Sequence, residues 1–190
     1  MKKRLLIICV CILGGVMIMQ SCKKEEDDDD MMTTTPTLYD RVGGTAMVDD
    51  PANPGTMIEQ GRLTLRSVVD SSIFVIAADP NMTPFFGTLL TEVGAGDLSG
   101  LTILSKNLTD FLCSATGATN TDYLYTGLSM ADAHDPDVNS RMGMKAGDGD
   151  FDNFIADVAV GLGQNGVTDA QLISDLVDLL ETTRADIVQM

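Results

Sequence analysis

The chain predicts an all-α fold, and three observations predict it. Apolar residues return at three- and four-residue steps over several long segments, the spacing of one helix face. Two of those segments open on the serine- or threonine-to-acid or -amide spacing of a capping box, and others stop at proline or glycine. Strand-like alternation of useful length is missing.

Residues 1–21 stand apart from the fold. Lys2-Lys3-Arg4 is a positive leader, and Leu5 to Met19 is apolar and free of charge. A membrane span needs about 20 apolar residues, so this length suits a secretory signal better. The segment ends in Met19-Gln20-Ser21-Cys22, which resembles a bacterial lipobox, with Cys22 as the lipidated N-terminus. An ordinary signal peptide with a chance cysteine is the alternative. Residues 22–36 form a tether: Lys23-Lys24-Glu25-Glu26, four aspartates from Asp27 to Asp30, then a threonine-rich stretch to Pro36. Such a composition has nothing to bury and is expected to be disordered. A cysteine followed by lysines and an acidic run resembles the surface-export signal of Bacteroidota-type lipoproteins, although a charge run also serves simply as a solvated leader. The expectation is a lipid anchor in the cell envelope, at the outer membrane, with either leaflet open.

Of the four cysteines, Cys9 and Cys11 leave with the signal and Cys22 carries lipid, so Cys113 alone remains and no disulfide framework is expected. Cys113 lies in an apolar helical stretch and reads as a small core residue. Without Lys2, Lys3 and Arg4 the balance is 9 basic against 28 acidic residues, a formal charge of −19. A surface so negative repels nucleic acid and anionic membrane faces. Residues 37–190, about 150 in number, suit one domain with one core.

The elements follow in order. Residues 62–78 carry Leu63, Leu65, Val68, Val69, Ile73, Phe74, Ile76 and Ala77, a helix stopped by Asp79-Pro80. Residues 99–115 place Leu101, Leu104, Leu108, Phe111, Leu112 and Ala115 on a cleaner amphipathic pattern. Ser129-Met130-Ala131-Asp132 begins a helix that Pro136 prevents from running past Asp135. A helix of about one and a half turns does not persist alone, so something must hold it. Phe151, Phe154, Ile155, Val158 and Leu162 mark another helix, closed by Gly163 or Gly166. Thr168-Asp169-Ala170-Gln171 caps a last one that runs through Leu172, Leu176 and Leu180 to Ile187.

His134, on the short helix, is the only histidine in the chain. A lone histidine is either a satisfied structural imidazole or a metal ligand. Asp148, Asp150 and Asp152 alternate as some calcium ligands do, but they lack a twelve-residue loop and its terminal glutamate, and read better as a solvated loop. A hydrolytic enzyme is poorly supported, because no second histidine serves as base and no serine or cysteine nucleophile motif occurs.

Four blocks in order resemble a group 1 truncated haemoglobin. They are Leu38-Tyr39-Asp40-Arg41-Val42-Gly43-Gly44; Val68-Val69-Asp70 through Asp79-Pro80 to Phe85-Phe86; Lys106-Asn107 through Phe111, then Tyr125-Thr126-Gly127 and Met130-Ala131-Asp132-Ala133-His134; and Gly166-Val167-Thr168 to Ala185-Asp186-Ile187-Val188. The resemblance implies a two-over-two helical sandwich around haem b, which binds a diatomic gas such as O2, NO or CO. By position, it makes His134 the iron ligand on the proximal side. Met130 packs under the porphyrin and Phe86 wedges on its face. Ile103, Asn107 and Phe111 line the distal side, with Phe151 as a further haem contact.

Three departures accompany it. The distal tyrosine common in the family is replaced by Ile73, leaving Asn107 as the candidate donor. A donor to a bound diatomic ligand in a dry pocket is worth about 1–3 kcal/mol, so faster oxygen loss and easier autoxidation are expected. The nitric-oxide dioxygenase activity of some relatives is thereby in doubt. Residues 45–67 are an insertion, and a Gly- and Asp-rich loop at 135–149 replaces a short connection; Met142 and Met144 lie in it, close in sequence to the iron ligand. Two functions stand: a lipid-anchored haem protein that carries, scavenges or senses a diatomic gas, and a surface lipoprotein that relays haem or interacts on a globin scaffold.

Overall fold

The opening Leu-Tyr-Asp-Arg-Val-Gly-Gly block folds as one turn closed on itself. In the structure, a computed structural model that describes residues 35–190, helix α1 (Leu38–Arg41) begins on a capping box. Thr37 Oγ1 accepts from the Asp40 amide, and Asp40 returns a carboxylate to the Thr37 amide. Tyr39 is buried, and its hydroxyl donates to Glu59 at 2.8 Å. Gly43 and Gly44 hold φ of 127° and 59°, the left-handed region that glycine enters freely. The signal segment, Cys22 and the tether as far as residue 34 lie outside the described residues.

The inserted stretch forms structure that the alternation rule did not reveal. Strands β1 (Met47–Asp49) and β2 (Met57–Glu59) pair antiparallel with Val48 opposite Ile58. Three residues per strand are too few to show a period of two. Asp50 pins the turn, accepting from the Ala52 amide and the Asn53 side chain and pairing with Arg66 at 2.6 Å. The rest of the insertion is the first two turns of helix α2 (Gln60–Ala78).

Helix α2 is the centre of the molecule. It packs against α4 (Ser99–Thr116) and α6 (Asp148–Gln164). Arg62 reaches Asp110 and Asp70 accepts from Ser105, so α2 and α4 run antiparallel. Against α6 the approach is closest at Ser72 and Gly161, where a Cβ on Gly161 would stand 2.1 Å from the serine Oγ. Helix α7 (Ala170–Glu181) packs back on α6. Two helix pairs, α2 with α4 and α6 with α7, therefore meet through α2 and α6. Between α2 and α4 the chain makes a 3-10 turn at Thr83–Phe86 and the short helix α3 (Gly87–Gly94).

Helix α5 (Met130–His134) has the length expected, and only the serine half of its capping box forms, Ser129 Oγ accepting from the Asp132 amide. The C-terminus holds this helix: Gln189 Nε2 donates to the Ala131 carbonyl, and Ala146 and Val188 form a parallel bridge beside it. Two expectations for the last helix need correction. Its cap is Asp169, which accepts from the Leu172 amide, and not Thr168. It also breaks before α8 (Arg184–Ile187), at Thr182 and Thr183, whose hydroxyls donate to the Leu179 and Leu180 carbonyls. The acidic run is likewise accounted for. Asp150 caps α6 at the Gly147 amide, while Asp148 and Asp152 pair with Arg184. Among the described residues no cluster of acidic, histidine or cysteine side chains could hold a metal ion.

Two apolar clusters result. One fills the space between α1, α2, α4 and α7 with Tyr39, Leu65, Val69, Cys113 and Leu176. The other, built on Ile76, Met82, Phe85, Phe151 and Ile187, surrounds a cavity.

Candidate functional site

The cavity has a volume of about 350 Å³ and lies among α2, α3, α4, α5, α6 and the C-terminal turn. Its walls are mostly aliphatic and aromatic, the usual character of a site for a flat organic ligand. His134 stands on one wall, at the last residue of α5. Its Nδ1 is 2.8 Å from the Met130 carbonyl one turn back. A carbonyl oxygen only accepts, so Nδ1 carries the proton and Nε2 keeps its lone pair. Burial holds the imidazole pKa below the ordinary histidine value, against the opposing pull of the Met130 carbonyl. The result is a neutral, oriented imidazole with one basic nitrogen free, the arrangement a ligating histidine requires.

Several residues singled out in the sequence meet here. Ile73, Phe86, Asn107, Phe111, Met130 and Phe151 all line the same cavity as His134. Asn107 is half-buried, and among the described residues its amide has no hydrogen-bond partner. Phe74, one residue from Ile73, is 69% exposed, so the register of α2 turns the isoleucine inward.

Ile103 departs from expectation. It is 59% exposed and is not part of the cavity wall. Steps of four drift by about 40° around a helix, so positions 103, 107 and 111 do not share one narrow face. The wall of α4 is instead Leu104, Asn107, Leu108 and Phe111, centred one residue further on. Met144 also faces solvent, whereas Met142 reaches the cavity.

Sequence reasoning missed five polar members of the wall, Tyr125, Asn139, Arg141, Asp150 and Thr183, of which three bear on the site. Tyr125 packs edge-on against Phe111 with ring centres 6.1 Å apart, and its hydroxyl donates to the Leu128 carbonyl. Asn139 donates to the Ala133 carbonyl and so braces the helix that carries His134. Arg141, the one cation among the lining residues, pairs with Glu92 of α3. Tyr125 opens the Tyr125-Thr126-Gly127 block and was within reach. Asn139 and Arg141 sit in an irregular loop whose long-range contacts leave no local pattern.

Haem fits this chemistry. The donor set is one neutral imidazole with a free nitrogen, set in an apolar cleft with aromatic rings from α4 and α6 and from the turn before α3. Asn107, on the α4 wall, supplies an amide that is unpaired among the described residues.

No family model matches the chain, and no curated protein matches it in sequence. Solved structures do. The ferric form of a truncated hemoglobin variant from Tetrahymena pyriformis is 25% identical with a TM-score of 0.57, and a second ferric variant of the same protein is 24% identical with a TM-score of 0.55. In both cases the match covers 82% of this chain and 100% of the other. The all-α chain described here has the truncated globin fold.

Proposed function

We propose that this chain is a haem-binding globin of the group 1 truncated type that reversibly takes up a diatomic gas, O2, NO or CO. The observation that carries the proposal is His134 itself, neutral, oriented through the Met130 carbonyl and set in the wall of the cavity. The likeness to ferric truncated hemoglobin structures supports the same cofactor here.

Haem b, when bound, supplies an iron centre with one position for a small gas. The protein supplies the rest. The Nδ1–H bond fixes the tautomer and the ring plane of His134, and it raises the basicity of Nε2. Asn139, through Ala133, and Gln189, through Ala131, hold the one-turn helix in place. Phe86, Phe111 and Phe151 present flat apolar surface and exclude water. The Asn107 amide is the donor available to a polar ligand, and Ile73 offers none. Carriage, scavenging or sensing fits such a pocket better than catalysis that needs a long-lived ligand complex.

Replacing His134 by alanine tests the assignment. The variant is expected to lose the histidine-ligated absorption spectrum and to regain it when free imidazole is added, with helical content unchanged. An unaltered spectrum without imidazole would show that another residue holds the iron. We propose in addition that the chain is anchored in the cell envelope through lipid on Cys22, supported by the lipobox-like Met19–Cys22 and the charged tether after it. Fatty-acid labelling is expected to disappear in Cys22→Ser, and labelling that persists would refute the anchor.

A further inference from the structure

The loop after His134 does more than join α5 to α6. It leaves the imidazole helix, reaches α3 and the turn before it, and returns to α6. Its outward limb ends at Arg141, whose guanidinium pairs with both oxygens of Glu92 on α3, at 2.9 and 2.5 Å. The pair lies over Gly100, at the start of α4. A Cβ there would stand 2.1 Å from Arg141 Nη2 and 2.3 Å from Glu92 Oε2, so glycine is what makes room for it. Two residues on, the Gly143 amide donates to the Phe85 carbonyl at 3.1 Å. A Cβ on Gly143 would meet the Pro84 carbonyl oxygen at 2.0 Å, so this contact too depends on glycine. Between them Met142 packs against the cluster around Phe85. Asn139, Arg141 and Met142 all form part of the cavity wall.

The loop is fastened unequally. Its base is tied by Asn139 to the Ala133 carbonyl and by the Ala146 carbonyl to the Gln189 amide. Its tip is held by one backbone hydrogen bond, one methionine and an ion pair whose side chains are 46% and 25% exposed. Partly exposed ion pairs contribute little and weaken with salt, so the tip is the first part of this wall to open.

We propose that the Arg141–Glu92 pair and the Gly143–Phe85 hydrogen bond form a clasp, joining the loop after the His134 helix to α3 and the turn before it, whose opening sets the rate at which haem enters and leaves the cavity. The inference rests on the haem assignment above and adds that the His134–iron bond alone does not set residence time. The clasp closes over the edge of a flat ligand that is too large to pass a closed loop. Its strength is electrostatic at the tip, so exchange follows ionic strength.

Two measurements on the full chain separate the parts. Hydrogen exchange at the Gly143 amide in the haem-free chain reads the clasp itself. Transfer of bound hemin to excess apomyoglobin reads its consequence. Arg141→Met and Glu92→Gln are each expected to speed both rates about threefold to fivefold at low salt. The two together should do no more than either alone, since they break one pair. Gly100→Ala, which places a methyl group where the pair lies, should act in the same direction. In about 1 M salt, where screening is nearly complete, the variants and the parent should converge. Unchanged exchange at Gly143 in the variants would overturn the clasp, whatever hemin does. Faster exchange at Gly143 with unchanged hemin transfer would overturn its control of haem residence. A parent chain that takes up no hemin would refute the haem assignment and the control with it, and is recognised before any variant is compared.

Discussion

The two halves of helix α2 do opposite things. Its first half is densely packed. Leu65 and Val69 are almost wholly buried, and Arg62 lies 2.7 Å from Asp110, 3.7 Å from Cys113 Sγ and 4.3 Å from the centre of the Tyr123 ring. Lys106 shares the Asp110 carboxylate, and Glu59 accepts from both Tyr39 and Asn120. The second half carries Ile73, Ile76 and Ala77, and they border the cavity. Side chains that line a cavity have fewer protein atoms around them than those in a filled core, so the half that borders it draws less stability from the protein's own packing. The dense half compensates by fixing α2 against α4, and a space between them persists further along. Stability and binding are thus separated along one helix.

The largest effect expected on that contrast is in the dense half. Leu65→Ala should lower the unfolding free energy of the haem-free chain by about 3 kcal/mol, whereas Ile73→Ala at the cavity should cost less than half as much. Urea denaturation of the two variants side by side decides it, and equal losses would mean the two halves are packed alike. Next comes Arg62→Met, which leaves a buried Asp110 with only Lys106. A loss of about 2 kcal/mol is expected, below the 3–5 kcal/mol usual for stranding a buried charge, because the lysine remains. If Lys106→Met alone costs as much, the arginine is not the principal partner.

At the cavity, Ile73→Tyr sharpens the comparison from the other side. A hydroxyl in this wall should slow oxygen dissociation by about fivefold, roughly 1 kcal/mol, with little effect on folding. Stopped-flow kinetics read it, and an unchanged rate would place residue 73 outside the ligand's reach. The smallest effect is at the hairpin. Hydrogen bonds from Arg66 and Asn53 hold the Asp50 carboxyl well below the usual carboxylate range. A group whose pKa is depressed by folding stabilises above its unfolded pKa, and that contribution fades as pH falls through the folded value. The midpoint of urea unfolding should therefore fall between about pH 5 and pH 2, and fall less in Asp50→Asn. Parallel pH profiles would rule out the Arg66 contact as a source of stability.

Much of this architecture was legible in the amino-acid order because it is local. The spans of α2, α4 and α6 follow from apolar spacing, and α5 follows from Ser129 and Pro136. That residues 73, 86, 107, 111, 130, 134 and 151 share one cavity could be expected only through the family resemblance, which supplied a register that spacing alone could not. What escaped depends on contacts distant in sequence or on short segments. The hairpin has strands too brief to show alternation and is held by Asp50 and Arg66, sixteen positions apart. Ile103 was misplaced by a drift of one residue around α4. The break between α7 and α8 falls at two threonines, residues that also occur inside unbroken helices. Arg141 meets Glu92 across 49 positions, which no motif announces.

The most direct test of a haem site built on His134 is an absorption titration of the purified chain with hemin, followed by reduction and exposure to CO. The account predicts a Soret band that saturates at one haem per chain and shifts sharply with CO. A titration without saturation, or a saturated complex indifferent to CO, would contradict it and leave a globin fold whose cavity serves another ligand.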